Sequence, residues 1–404
     1  MIIGIDASRA NELRKTGTEW YAYYLIQEFK KIADPNDQFI LYSKEPLRGE
    51  LAELPANFIS KVLNWPPKFL WTQLRLSWEM FYRKPDVLFV PAHTIPFLHP
   101  KNTVTTLHDV GFERFHRLYS KNSIGYKTSF SKWVINILVR TFTLGRYGSN
   151  EYDYHRFSAR FALKHAKTIL TVSNFTKSEI LELFGRKYSD KIAVTLLAYD
   201  NSRLQTEFSS QEIDQILKKY HIQKSFILYI GRLEEKKNIS GLIEAFNILK
   251  KKYNYEGQLV LIGKPGYRFE SAQEKITEYG LENYVIQPGW ITEEERIILL
   301  KSAEVFVFPS FYEGFGIPPL EAMSVGTPVV ASNSASIPEV VGDAALLVDP
   351  NSPAAIAKSV SSVINNEDYI RDNLIKNGYI RVKQFSWGKT ASETLSNIKT
   401  SVHS

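Results

Sequence analysis

Short apolar runs of strand length alternate with stretches of helical periodicity along nearly the whole chain, and they fall into two sets. The first set is Ile2–Ile5, Phe39–Tyr42, Val87–Val90, Val104–Leu107 and Thr168–Val172. The second is Phe226–Ile230, Leu259–Ile262, Val285–Gln287, Val305–Phe308, Val329–Ala331 and Leu346–Val348. Strands that alternate with helices pair in parallel, and a parallel sheet is covered by helices on both faces. The pattern therefore predicts an α/β chain with two parallel sheets. A length of 404 residues allows two or three domains with substantial cores. The polar stretch from Asp200 to Asp214 reads as the linker, separating a first domain over 1–200 from a second over 201–384.

Composition narrows the chemistry. Without cysteine the chain has no disulfide framework, no thiolate metal site and no thiol nucleophile. No secretory signal precedes the first strand, and no apolar run approaches the length of a membrane span. The expected location is cytoplasmic, or peripheral on the inner face of the cytoplasmic membrane.

Pro309 to Ala331 reads P-S-F-Y-E-G-F-G-I-P-P-L-E-A-M-S-V-G-T-P-V-V-A, with Glu313 and Glu321 eight positions apart. Glu313 falls on the loop after a strand, at the carboxyl edge of a sheet where ligands of open α/β sheets bind. Pro318 and Pro319 suit the first turn of a helix, and Gly326 its stop. Gly314, Phe315 and Gly316 then bring backbone N–H groups to a helix start, which is an anion site. Carboxylates on either side accept from hydroxyls, so a sugar nucleotide fits, with phosphate in the middle and hydroxyls at both ends. Taken alone, the two glutamates read as first-turn acids answering the helix dipole.

The whole stretch resembles the E-x7-E motif of glycosyltransferase family 4, retaining sugar-nucleotide enzymes of the GT-B fold. The match continues from Ser332 through Gly342-Asp-Ala-Ala-Leu-Leu-Val-Asp-Pro350. This resemblance implies two Rossmann-like domains with parallel sheets facing a central cleft. The first would be the acceptor side and the second would bind the nucleotide sugar, while a closing helix, 385–404, packs back on the first. It also implies that Glu313 meets the donor sugar and Glu321 the ribose.

Three further pieces carry the likeness. Gly231-Arg232-Leu-Glu-Glu-Lys236-Lys237-Asn238 follows a strand and is similar to the family's G-R-x4-K signature. Arg232 and Lys237 are thereby implied to grip the donor diphosphate, with Lys236 as substitute for the second, because fixed cations stabilise the charge of a departing nucleoside diphosphate. Thr105-Thr106-Leu107-His108-Asp109 is similar to a strand-end His-Asp that sets His108 at the reaction centre. Asp109 would orient the imidazole or the local turn. Gly17, in Thr16-Gly17-Thr18-Glu19, matches the glycine of a loop that closes over the diphosphate, although many members have a second glycine where this chain has Thr18. His108, Glu313, Arg232 and Lys237 form the expected catalytic set. Gly263, Trp290 and Ile291, after strands, take weaker nucleotide-side roles beside their ordinary turn chemistry.

The implied reaction moves a hexosyl unit, with GDP-mannose as first donor, to a hydroxyl of a glycan or lipid-linked glycan in surface polysaccharide synthesis. The anomeric configuration is retained. No D-x-D motif stands at a suitable strand end, so no metal and no other cofactor is expected. A related sugar-nucleotide enzyme, an epimerase or phosphorylase, would share the fold but fits the paired signatures less well. The net charge of +7 raises a nucleic-acid binder as a rival, which charge alone does not carry against placed motifs.

Residues 114–167 hold eleven Lys/Arg against Glu151 and Asp153, a net of +9, and eleven aromatics including Phe115, Tyr119, Trp133, Tyr147 and Phe161. Such a mixture suits an anionic membrane surface contacted through Lys121, Lys127, Lys132 and Arg140. The alternative is a set of amphipathic helices with solvated cations.

Overall fold

A computed structural model describes residues 1–65, 70–118 and 150–403, with 137, 140, 141 and 145 between them. The chain divides into two compact units, Met1–Leu197 with Ser386–Ser404, and Ala198–Phe385.

In the first unit the described strands are β1 (Ile2–Asp6), β2 (Gln38–Ser43), β3 (Phe58–Val62), β4 (Val87–Val90), β5 (Thr103–Leu107), β6 (Thr168–Thr171) and β7 (Ile192–Val194). They form one parallel sheet in the order β3-β2-β1-β4-β5-β6-β7. Ile3, Ile5, Val87, Leu88, Val104 and Leu107 are fully buried, as expected for strands covered on both faces. The helix Gly17–Ile32 starts with a capping box between Thr16 and Glu19. Beside it packs the helix Trp387–His403, whose Trp387 stacks on Tyr24 with ring centroids 5.0 Å apart. Thr390 Oγ1 donates to the Leu196 carbonyl at 2.7 Å, and Ala391 and Ile398 are fully buried.

The described strands of the second unit are β8 (Phe226–Ile230), β9 (Gln258–Ile262), β10 (Val285–Ile286), β11 (Val305–Phe308), β12 (Val329–Ser332) and β13 (Ala345–Val348). Their order is β10-β9-β8-β11-β12-β13, again all parallel. In each sheet the direction of winding reverses once, between β1 and β4 and between β8 and β11. Loops leaving the two strands at such a point diverge and open a crevice at the carboxyl edge.

Three expectations change. β3 and β7 are edge strands that no apolar run announces, since β3 reads F-I-S-K-V with mostly exposed residues and β7 has only three. The stretch from Asp200 to Asp214 is no linker: it holds the helix Asn201–Leu204, capped by Asp200, and the start of the helix Ser210–Lys219, capped by Ser209. Asp200 and Ser209 are caps, and such residues read as loop in a sequence.

In the segment 114–167, Tyr119, Lys121, Lys127, Lys132, Trp133 and Tyr147 lie outside the described residues. Among those described, Arg114 pairs with Glu179 and Glu182 at 2.7 and 2.6 Å, and Arg156 and Arg160 pair with Glu113 at 3.2 and 3.0 Å. Acids from outside the segment thus answer part of its charge. No helix among the described residues is long and apolar enough to cross a membrane.

Candidate active site

The loops after β8 and β11 meet at the reversal point of the second sheet. Lys237, near the end of the β8 loop, places its ammonium 2.5 Å from Glu313 Oε1 on the β11 loop. Ser310 Oγ, fully buried, donates to the same oxygen at 2.9 Å. Both partners of the ion pair are largely buried, so the carboxylate is held by charge and hydrogen bond together. Tyr229, at the end of β8, donates from its hydroxyl to the Arg232 carbonyl at 3.2 Å and fixes that turn. Burial first, then the charges of Glu313 and Glu234, push the Tyr229 phenol well above its usual range, so it stays a neutral donor. Arg232 is 63% exposed, with Nε 3.2 Å from Glu234 Oε2.

Asn238 closes the same loop. It adopts the left-handed conformation with φ 59°, caps the helix Ile239–Lys252 by accepting from Gly241 N, and is buried. Its side-chain amide donates to the carbonyls of Pro309 and Pro350 at 3.2 and 2.7 Å. One residue therefore ties together the segments that follow β8, β11 and β13.

Gly316 caps the helix Ile317–Ser324 at φ 101°, where a Cβ would come 2.6 Å from Ile337 Cδ1. Pro318 and Pro319 in its first turn carry no N–H, so an anion here must be met by the amides from Gly314 to Ile317. Ser336 Oγ lies 2.9 Å from the carbonyl oxygens of both Glu313 and Phe315 and holds the loop in shape.

Glu321 sits on that helix and is engaged by Arg296, whose Nη1 and Nη2 donate to Oε2 and Oε1 at 2.8 and 3.3 Å. Gly263 follows β9, and a Cβ there would meet the Gly231 carbonyl oxygen at 1.8 Å. That backbone contact requires glycine whether or not a ligand approaches. Trp290 is 72% exposed, with Lys264 Nζ 5.5 Å from its ring centroid, and Ile291 is half-buried on the same loop.

In the first unit, His108 follows β5, and its Nε2 lies 3.1 Å from the Pro91 carbonyl oxygen. A carbonyl only accepts, so Nε2 carries the proton and Nδ1 is the acceptor of the neutral ring. Burial, ahead of every other cause, lowers the His108 pKa, so that neutral form persists to lower pH. The Tyr21 ring meets the imidazole edge-on at 4.8 Å. Asp109 accepts from Gly111 N at 3.1 Å, which makes it a turn residue. Gly17 opens its helix with nothing within 4 Å of a built Cβ, so packing does not demand glycine there.

Several residues of these loops escape a sequence reading. His93, after β4, lies with Nε2 2.9 Å from His155 Nδ1. Ser310, Tyr229 and Ser336 serve the carboxylate and its turn, yet nothing in their spacing announces it. Arg296 lies 25 positions from Glu321, and no local pattern shows that the two meet.

Residues 210–381 match the family model described as glycosyl transferases group 1. The O-antigen chain mannosyltransferase B of Escherichia coli is 37% identical over 247 residues, 61% of this chain and 64% of that protein. The chain thus spans less than two thirds of that relative's length. The O-antigen chain mannosyltransferase RfbU of Salmonella typhimurium is 27% identical over 387 residues, 92% of this chain and 93% of the relative. The structure of Anabaena Alr3699/HepE in complex with UDP and glucose has a TM-score of 0.69 at 16% identity and covers 99% of each chain. At that identity the likeness shows the fold, GT-B with two parallel-sheet Rossmann-like domains.

Proposed function

We propose that this chain is a retaining glycosyltransferase that moves a mannosyl unit from GDP-mannose to a hydroxyl of a glycan or lipid-linked glycan, in the building of surface polysaccharide. The observation that carries this reading is the meeting of Lys237 and Glu313 at the β8/β11 reversal point, inside the region that matches the group 1 family. The names of the mannosyltransferase relatives support the sugar.

In this reading Arg232, Lys237 and the amides from Gly314 to Ile317 hold the diphosphate, Glu313 meets the sugar and Glu321 the ribose. Gly263, Trp290 and Ile291 lie to the nucleotide side. The first unit, with His108 and Gly17, takes the acceptor-side role. The bond from the anomeric carbon to the phosphate oxygen breaks as the acceptor oxygen bonds on the same face. The acceptor proton passes to the leaving phosphate. Arg232 and Lys237 stabilise the charge that develops there, so the reaction proceeds without a metal.

A lipid-linked acceptor would be met at the inner membrane surface. The helix Ser77–Tyr82 and the turn before it bury Trp71, Leu76 and Met80 but expose Leu74, Trp78, Phe81 and Tyr82, next to exposed Arg83 and Lys84. Aromatics flanked by cations suit an anionic lipid interface.

Thermal shift with GDP-, UDP-, ADP- and dTDP-sugars, followed by transfer to a mannose-terminated acceptor, tests the function. Stabilisation by GDP-mannose and an α-linked product are expected. Hydrolysis or epimerisation of the donor with no transfer would overturn it.

A further inference from the structure

Arg296 uses two edges of its guanidinium. Side-on, Nε and Nη2 donate to Glu293 Oε2 and Oε1 at 3.0 and 2.5 Å, within one turn of the helix Glu293–Ser302. End-on, Nη1 and Nη2 take both oxygens of Glu321 on the helix Ile317–Ser324. The side chain is only 16% exposed and that of Glu321 15%. Glu293 therefore sets the plane of the guanidinium, and the guanidinium sets the plane of the Glu321 carboxylate, as a two-bond fork does. Burial works against the charge on Arg296, but Glu321 and Glu293 outweigh it and keep the group cationic.

A helix-to-helix strut needs no such fixing of the carboxylate, whereas recognition of a ligand does. A carboxylate accepts at about four sites, so Glu321 keeps a further lone pair on each oxygen after taking Arg296. Two vicinal hydroxyls, one per oxygen, match that pattern. The loop with Trp290 and Ile291 runs directly into the helix of Arg296, so a nucleoside lying there would carry its ribose diol to this point. A bare carboxylate would also repel a neighbouring diphosphate, and a paired one repels it less.

We propose that Arg296 is a positioning residue for the nucleoside: it clamps Glu321 so that both oxygens accept the 2′- and 3′-hydroxyls of the ribose. The proposal rests on the reading of Glu321 as the ribose acceptor. Glu293 is the outer member of the relay.

Calorimetric titration with GDP, UDP and their 2′,3′-dideoxy forms separates the two claims. The wild type should prefer the better ribonucleotide over its dideoxy form by at least about 100-fold, the worth of two hydroxyl bonds to a charged acceptor. Glu321→Ala should erase the preference. Arg296→Ala should bring it to within about threefold while dideoxy affinity changes little, and Arg296→Lys, which cannot fork, should restore only part. Glu293→Gln, at a side chain 46% exposed, covers the case in which Arg296→Ala does not fold and should lower the preference several-fold. A wild-type preference kept in folded Arg296→Lys and Glu293→Gln would overturn the positioning role and leave the ribose reading standing. No preference in the wild type would overturn both.

Discussion

Lys237 and Glu313 form an ion pair that joins the β8 and β11 loops across the reversal point of the second sheet, with 16% and 11% of their side chains exposed. A cation assigned to the diphosphate thus already neutralises the carboxylate assigned to the sugar. Binding of a donor must share or replace that contact, so the two residues act as a unit.

Substitution should separate stability from turnover. Lys237→Ala leaves the Glu313 charge largely buried without its cation and should cost about 2–4 kcal/mol of folding stability besides abolishing transfer. Arg232→Ala, at an exposed side chain, should change stability by less than about 1 kcal/mol while transfer falls at least about a hundredfold. Denaturant titration and initial rates on the same preparations check both. Wild-type turnover in Arg232→Ala would remove it from the diphosphate site.

Gly263→Ala places a methyl 1.8 Å from the Gly231 carbonyl oxygen, in a backbone conformation of φ 157° that alanine rarely adopts. The expected cost is more than about 3 kcal/mol, read as a fall in Tm, with loss of nucleotide binding as the signature turn shifts. A Tm unchanged from wild type would show that the two loops are less tightly apposed.

Asn238→Ala removes the donor to the Pro309 and Pro350 carbonyls and a helix cap at one stroke. Two buried carbonyls would be left unmet, so a loss of about 2–4 kcal/mol is expected in chemical denaturation. Asn238→Gly should recover the left-handed backbone but not the two bonds, and so rank between the two.

The first unit should weaken in mild acid. Burial, then the charges of His155, Arg9 and His108, hold His93 well below the usual histidine range, and burial lowers His108 as well. The unfolded chain binds these protons near pH ~6.5, so below that point it carries more of them than the folded protein. Their contribution is present above pH ~6.5 and is lost as pH falls through the lower folded values. Tm measured across this window should drop, and His93→Gln should flatten the slope. An unchanged slope would assign the effect to other groups.

On the proposed reading, in which Arg232 and Lys237 supply the positive charge that a metal gives elsewhere, transfer should persist in EDTA. Activity lost in chelator and restored by Mg²⁺ or Mn²⁺ would reject the metal-free route.

What the sequence shows follows from how local each constraint is. Interior strands such as Phe226–Ile230 are covered on both faces and read as unbroken apolar runs. Phe58–Val62, exposed at a sheet edge, has no such pressure, and the caps around Asp200 and Ser209 imitate a linker. Glu313, Glu321, Arg232 and Lys237 are visible because each stands at a fixed offset from a strand or a glycine. That Lys237 faces Glu313, and Arg296 faces Glu321, depends on how separate loops and helices pack, which no spacing records.

The helix Trp387–His403 belongs to the first unit, although the ribosome makes it only after all of the second. Its Trp387, Ala391 and Ile398 fill places beside a sheet translated long before, so the nascent first unit must wait with that surface uncovered. Contacts spanning such a sequence distance form late and slowly. The second unit is continuous and can fold to completion in the meantime, which makes the amino-terminal half the one most in need of a chaperone.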